Sequence, residues 1–539
     1  LDADMPDTAT DLAAQEAATP SKYRETPWPT DKMPPGIPYI IGNEAAERFS
    51  YYGMTAILAT FLTKYLLDSS GNLAVKTENE ANEIIHFFIM GVYFFPIVGA
   101  VISDVVLGKY WTILLVSLLY CVGHAVMALV DAPQLTGIDP FALLCVALLL
   151  LSLGAGGIKP CVSSHVGDQF GPQNKHLIPK IFSWFYFSIN FGAAFSTLLT
   201  PLLLDRQMFF DKLGGFGKWL DSIGISPGPS LAFGVPGVLM GLATIMFWLG
   251  RNKFVHIPPA GKEFWDETLS ADGLSAARNL IPLFGLICIF FALFDQSHTS
   301  WIHQAAKMDR TLFAGTRFEM TPDPAQFQAV NPILVLILIP IFAYGIYPML
   351  GRFFAVTPLR KIAIGMFLTV PSFALIAMAQ EGIDREQGLK APASAEVFAV
   401  SASSPNAAAV AGAMLGATAS VPPPRTPIAW QLGAYVILTA AEIMVSITAL
   451  EFAYTQAPRK MKSFVMGLYL LFGIALGNFF AAMVNGYIAR RVEGGDRILQ
   501  GADYFWFFTA CMLVMAVVFA IYAMFYRGRT YIQGESPAA

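Results

Sequence analysis

Charge is scarce in this chain. Asp, Glu, Lys and Arg together make up 13% of its 539 residues, against roughly 25% in ordinary soluble domains. So few charges cannot cover the surface of a soluble protein of this length, which excludes a cytosolic globular enzyme. The formal net charge of −4 leaves no basic excess for nucleic acid. Cysteine is rare too: Cys121, Cys145, Cys161, Cys288 and Cys511 all lie in apolar runs. That excludes a disulfide framework and a zinc cluster, and reads them as small core hydrophobes. The apolar runs contain no HExxH, no nucleophile elbow and no paired metal ligands, which speaks against a membrane-embedded peptidase. No cofactor is expected. The opening LDADMPDTATDLAAQEAATP is acidic and polar, unlike a cleavable signal with a basic start; Leu1 is not an initiator, and Met5 is a candidate start.

What fills the chain is apolar residues, 55% of the total. They fall into runs long enough to cross a bilayer at about 37–66, 82–107, 110–131, 140–163, 178–204 and 229–250. A polar connector at 251–277 follows, then runs at about 279–303, 331–353, 358–380, 428–455, 462–489 and 503–527. The expected fold is therefore an all-α polytopic membrane protein of about 12 transmembrane helices, in two six-helix bundles at 37–250 and 279–527. Short loops carrying Arg352, Arg360 and Lys361, and then Arg459, Lys460 and Lys462, hold no acid and should be cytoplasmic. The tail at 528–539, next to Arg527 and Arg529, agrees. The connector with Asp131 and Asp139 holds no base and should lie outside. Both termini are then cytoplasmic, with 1–36 an unstructured or surface-lying arm ended by Pro34-Pro35-Gly36. The Ala/Ser/Pro-rich segment at 381–427 reads as a flexible extracytoplasmic loop, with a small surface helix in its middle as the alternative.

Against this background, the charges inside the runs stand out, because each costs about 2.5–3.5 kcal/mol to insert at mid-membrane. GNEAAERFSYYGM (42–54) is the densest case. At about 100° per residue, Glu44, Glu47, Arg48, Tyr51 and Tyr52 share an arc of roughly 140°. Either this is a structural Glu–Arg pair or it is a site. Two carboxylates and one guanidinium cannot pair one to one, which favours a site where an acid carries a proton. Lys159, after three glycines and before Pro160, either snorkels to the interface or faces a cavity and binds a carboxylate. Asp295 lies mid-run with His298 one turn on, an acid placed to hold a proton. Glu442 is similar, with Ser446 one turn along its face, whereas Glu451 points the other way. Asn190 and Asn331 either bond a neighbouring backbone or join the site. His86 is either interfacial or functional, and His124 and His303 read as packing or loop residues. Cations in the first half (Arg48, Lys159) and anions in the second (Asp295, Glu442) fit a zwitterion held between the halves. Tyr51, Tyr52, Tyr93, Phe291 and Tyr469 are candidate pocket walls.

Several motifs in order carry a family resemblance. Glu44-x-x-Glu47-Arg48-Phe49-x-Tyr51-Tyr52, GAVISDVVLGKYWTI (99–113) and FYFSINFGA (185–193) resemble signatures of the proton-dependent oligopeptide transporters of the major facilitator superfamily. ALFDQ (292–296), VNPILVLILIPIF (330–342) and LEFAYTQAPRKMKS (450–463) are similar to the animal di- and tripeptide transporters in particular. The resemblance implies the major facilitator fold, with a midplane site between the halves. It also implies proton-coupled import of di- and tripeptides, with peptide-like drugs as further substrates, by a monomer in the plasma membrane. On it, Arg48 and Lys159 take the peptide carboxylate, and Glu442, Asn190 and Asn331 the amine. Tyr51, Tyr52 and Tyr93 line the site, and Glu44, Glu47, Asp295 and His86 handle protons.

This chain departs from the family at three positions. Phe291 and Tyr469 stand where tryptophan is usual, and Ala343 where animal members have an acid. The 381–427 loop replaces their large extracellular domain, and 251–277 is too short for the two extra helices of many bacterial members. Anion transport and non-transporting peptide sensing are the competing readings. Glu442 argues against the first, because an anion needs no carboxylate partner, and the featureless YIQGESPAA argues against the second.

Overall fold

The computed structural model describes residues 23–387, 425–456, 462–496 and 498–526. Among them, 11 helices are long and apolar enough to cross a membrane. Ile37–Lys64 joins them on length, its charged stripe lowering its hydropathy. In chain order the spans are α1 (Ile37–Lys64), α2 (Glu78–Val101), α3 (Lys109–Ala128), α4 (Pro140–Asp168), α5 (Ile178–Leu204) and α6 (Pro229–Leu249). After the connector come α7 (Ala271–Phe294), α8 (Val330–Ile341), α9 (Pro358–Glu386), α10 (Ala429–Glu442), α11 (Leu476–Glu493) and α12 (Ala502–Phe525). Local chemistry sets many starts. Proline fills the first turn of α1, α4, α5, α6 and α9, where a missing N–H costs nothing. Thr77 and Glu80 form a reciprocal capping box at α2, with Thr77 N donating to Glu80 Oε2 at 2.7 Å.

Four spans contain π-turns: Ile102–Leu107 after α2, Phe342–Ile346 after α8, Ile443–Ile447 after α10, and Leu470–Ala475 before α11. The last two continue the helices through Thr448–Gln456 and back to Lys462–Tyr469.

The boundaries differ from the sequence expectation where polar turns extend an apolar run. α7 begins at Ala271 rather than 279, and α4 runs past 163 to Asp168, whose carboxylate accepts from Lys109 at 2.6 Å. The connector holds a short helix, Lys262–Thr268, and Arg206–Ser222 forms a surface helix between α5 and α6. Neither is apolar enough to register as a run. The expected loop at 381–427 is shortened by α9, which runs on to Glu386, and residues 1–22 of the arm, 388–424 of that loop, Arg459 and Lys460, and the 528–539 tail lie outside the described residues.

Burial is inverted relative to a soluble protein. His86, His124, Asn478 and Asn485 are fully buried, while Leu118, Val122, Leu149, Val238 and Val514 are exposed on outward helix faces. The chain is a multi-pass membrane protein. Among the described residues two large apolar cores form, one from Ile37 to Phe254 joined by Ile302, the other from Leu280 to Phe519, with a small third around Phe342, Ile443 and Met444. Cys161 and Cys288 are core residues as expected, but Cys145 is exposed on an outward face.

Polar bonds joining the two halves gather at one end. Asn82 Nδ2 donates to Ser300 Oγ (3.1 Å), Gln326 Nε2 to the Leu198 carbonyl (2.8 Å), and Gln328 Nε2 to the Ala56 carbonyl (3.1 Å). Lys307 pairs with Glu78 at 2.7 Å. The halves are closed here. At the opposite end, residues 23–36 lie across the connector and the α4–α5 loop. The His256 N–H donates to the Arg24 carbonyl (2.8 Å), Trp28 Nε1 to the Lys253 carbonyl (3.0 Å), and Asn174 Nδ2 to the Lys32 carbonyl (3.2 Å).

Candidate functional site

The α1 stripe is buried as a unit. Glu44, Glu47 and Arg48 are 3%, 1% and 7% exposed. Arg48 Nε lies 3.0 Å from Glu44 Oε1 and 2.5 Å from Glu47 Oε2. Neither Glu47 oxygen, nor Arg48 Nε, is aligned for a hydrogen bond. Charge thus holds Glu47 in the cluster, and one guanidinium serves two acids. Gly192 of α5 makes room for it: a Cβ there would meet the Ala45 carbonyl oxygen at 2.7 Å and Arg48 Cβ at 3.2 Å.

Lys159 does not snorkel to the interface. Its Nζ sits 3.8 Å from the Tyr93 ring centre and 5.1 Å from that of Tyr51, a cation between two aromatic faces. Among the described residues no carboxylate is within ion-pair distance of it, although Arg48, Glu44, Glu47 and Asp295 are within electrostatic reach.

A cavity of about 300 Å³ lies between the halves, at the lower end of the range of about 300–1,000 Å³ usual for small-molecule sites. The first half contributes Tyr52, Tyr93, Tyr186 and Asn190, and the second Phe291, Asn331, Glu442, Ser446 and Tyr469. Asn331 Nδ2 donates to Glu442 Oε2 at 2.7 Å and to Thr439 Oγ1 at 3.1 Å, which fixes the carboxylate at the wall. Phe291 and Tyr469 pack edge to face with ring centres 6.1 Å apart. The π-turns next to Glu442 and Tyr469 rotate the faces that carry Ser446, Leu470 and Ile474 toward the cavity. Asn190 lines the wall while its Nδ2 donates back to the Tyr186 carbonyl (3.0 Å), so both of its expected fates occur together.

The structure does not bring every candidate to the cavity. Glu44, Glu47, Arg48, Tyr51 and Lys159 are not on its wall. Lys159 lies behind Tyr93 and Tyr51, and Arg48 is turned into the first bundle, against Gly192 of α5. Glu451 is exposed and apart from the cavity, as the helical phase implied. Asp295 and His86 form a separate relay on the closed side. His86 is fully buried, so the interfacial reading does not hold. Its Nδ1 is 2.8 Å from Asn478 Oδ1, and Asn478 Nδ2 donates to Asp295 Oδ2 at 2.6 Å. Because Asn478 Nδ2 also donates to the Ile474 carbonyl (3.1 Å), its oxygen faces the ring and His86 donates from Nδ1. Thr299 Oγ1 lies 3.3 Å from His86 Nε2.

The sequence reading passed over Asn478 and Gln328. Asn478 is a lone amide in an apolar run, the same signal that singled out Asn190. Gln328 sits in a 3₁₀ turn, Pro324–Ala329, ahead of the run that begins at 331, where hydropathy gives no signal.

Comparison with known proteins agrees with this architecture. The chain is 36% identical over 383 residues to Peptide transporter family 1 of Drosophila melanogaster, a match covering 65% of this chain and 48% of that one. It is 34% identical over 420 residues to Solute carrier family 15 member 2 of Homo sapiens, covering 70% and 54%. The chain thus spans about half the length of the curated relatives it matches. The crystal structure of the POT family transporter PepTSo superposes with a TM-score of 0.68 at 32% identity, over 92% of this chain and 99% of that one. The family model PTR2, described as the POT family, matches residues 110–271 and 263–507. With the family model spanning most of the chain and a solved member matching nearly end to end, this chain belongs to the POT family.

Proposed function

We propose that the chain is a proton-coupled symporter that imports di- and tripeptides, and peptide-like drugs, by alternating access. The observation that carries the reading is the polarity of the cavity. Glu442, anchored by Asn331 at 2.7 Å, opens onto it from one half, and Tyr93, backed by Lys159 at 3.8 Å, from the other. A free amine satisfies the first wall, together with Asn190, and a carboxylate the second. The aromatic and aliphatic surfaces between them accept varied side chains. Membership of the POT family, and the names of the relatives, support the same class.

In this reading the outer gate is shut and the tyrosines cover the cations. The peptide carboxylate draws Tyr93 and Tyr51 aside and reaches Lys159 and Arg48. Glu44 and Glu47 lose their share of Arg48, and a proton compensates. Asp295 and His86 couple protonation to the outer gate through Asn478. Negative-inside potential drives the inward movement with about 2.3 kcal/mol per charge per 100 mV. The protein acts as a monomer in the plasma membrane with both termini in the cytoplasm, its ligands being the peptide and the proton, with no cofactor. Uptake of labelled di-, tri- and tetrapeptides into proteoliposomes tests the proposal. Di- and tripeptides should accumulate only with an imposed inward proton gradient; accumulation of nitrate in place of peptide, or cleavage of the peptide, would overturn it.

A further inference from the structure

The cavity carries an imidazole that none of these roles uses. His298 closes the short turn Asp295–His298 at the end of α7, and its half-buried ring lines the cavity beside Phe294 and Gln328. Nδ1 lies 2.6 Å from Gln328 Oε1. Gln328 Nε2 is committed to two carbonyl oxygens, those of Ala56 and Ala325, each at 3.1 Å. The amide oxygen therefore faces the ring, and an oxygen only accepts. It follows that Nδ1 holds a hydrogen, so that whenever the ring carries only that one its lone pair is on Nε2. Among the described residues nothing bonds Nε2, so that acceptor is presented to the cavity.

We propose that His298 sets side-chain specificity: its Nε2 accepts a hydrogen bond from a hydroxyl or amide N–H on the side chain of the bound peptide. The inference rests on the peptide reading above. With both backbone ends of the peptide taken, by the Glu442–Asn331 pair and by the cation layer, a side chain meets mostly apolar walls around His298, among them Phe291, Phe294 and Ile474. Among them Nε2 offers an acceptor that no described residue engages. An apolar isostere leaves its lone pair unmatched, and such sites discriminate against the analogue lacking the donor. Gln328 is the positioning residue, because its two carbonyl bonds decide which nitrogen faces inward.

The test is competition against labelled Ala-Ala uptake by the full chain in proteoliposomes. Ala-Thr is compared with Ala-Val, and Ala-Asn with Ala-Leu, so that each pair differs in donors at nearly constant shape. The wild type should bind the polar member more tightly by roughly three- to ten-fold, the size of one net hydrogen bond. This ratio does not depend on how much protein is active. His298→Phe should bring it to about one, His298→Gln, which retains an acceptor, should recover part of it, and Gln328→Leu should lower it by freeing the ring. A wild-type ratio near one, or a ratio unchanged in His298→Phe, overturns the inference while dipeptide uptake itself persists. Absence of any dipeptide uptake by the wild type overturns the peptide reading, and this inference with it.

Discussion

Glu47 is the most enclosed of the membrane acids, 1% exposed and 2.5 Å from a guanidinium that it shares with Glu44. Removing its charge leaves Arg48 to Glu44 alone, so a proton no longer changes how the cation is divided. Glu47→Gln should cut gradient-driven peptide uptake by roughly ten-fold or more, within the range of about 1–3 kcal/mol typical of coupled sites, while sparing counterflow. Equal loss of both activities would show that Glu47 serves structure instead. Asn478 offers a contrasting case, since its amide is the link between His86 and Asp295. Asn478→Leu leaves two buried polar atoms without partners, each worth about 1–3 kcal/mol. Its melting temperature in detergent should fall well below that of Asn190→Ala, which gives up only a bond to its own helix. The charged residues were legible in the sequence because charge in an apolar run is anomalous by itself. The partners were not, since which nitrogen of His86 is satisfied depends on a residue 392 positions away.

The helices were legible for a similar reason: a spanning run must satisfy its own backbone, so length and apolarity nearly fix it. How closely two helices pass was not. Gly477 of α11 faces the Cys288 carbonyl and the Ala292 amide of α7 so tightly that an added Cβ would collide with main chain. Gly477→Val should cost at least the 1–3 kcal/mol of ordinary overpacking and lower the melting temperature. An unchanged value would mean that α7 yields freely. The arm offers an element-scale prediction in pH. His256 stacks on Tyr23 with ring centres 4.2 Å apart and lies 4.5 Å from the Tyr110 ring, its Nε2 2.8 Å from the Arg251 carbonyl oxygen. Burial in this aromatic sandwich lowers its pKa below the usual value of about 6.5, outweighing the Arg251 bond that favours the charged form. With the arm undocked, His256 then binds a proton that it refuses when the arm is docked. Docking is complete above pH of about 6.5 and weakens as pH falls below it. Amide exchange in 23–36 should rise on acidification in the wild type but not in His256→Phe.

At the scale of the molecule, the two halves meet through polar bonds at the closed end, so on the proposed alternating-access reading these bonds hold that end shut. The Lys307–Glu78 pair is half exposed, and such pairs contribute roughly 1 kcal/mol or less, which still moves a population by up to about five-fold. Glu78→Lys should open this end, seen as a longer spin-label distance between the loops of the two halves there. The exchanged pair Glu78→Lys with Lys307→Glu should restore the short distance, and failure to do so would remove the pair from the gate.

The amino-acid sequence alone determined the spans, the two-bundle division and the residues whose charge is out of place, because desolvation penalises each of them wherever the chain folds. Only the tertiary structure decided that Lys159 lies behind Tyr93 and Tyr51, that Arg48 turns into the first bundle, that Glu442 is pinned by Asn331, and that His86 reaches Asp295 through Asn478. Those facts depend on the rotation of each helix against its neighbours, which close glycine contacts and π-turns set, and an apolar run carries almost no signal of its own phase.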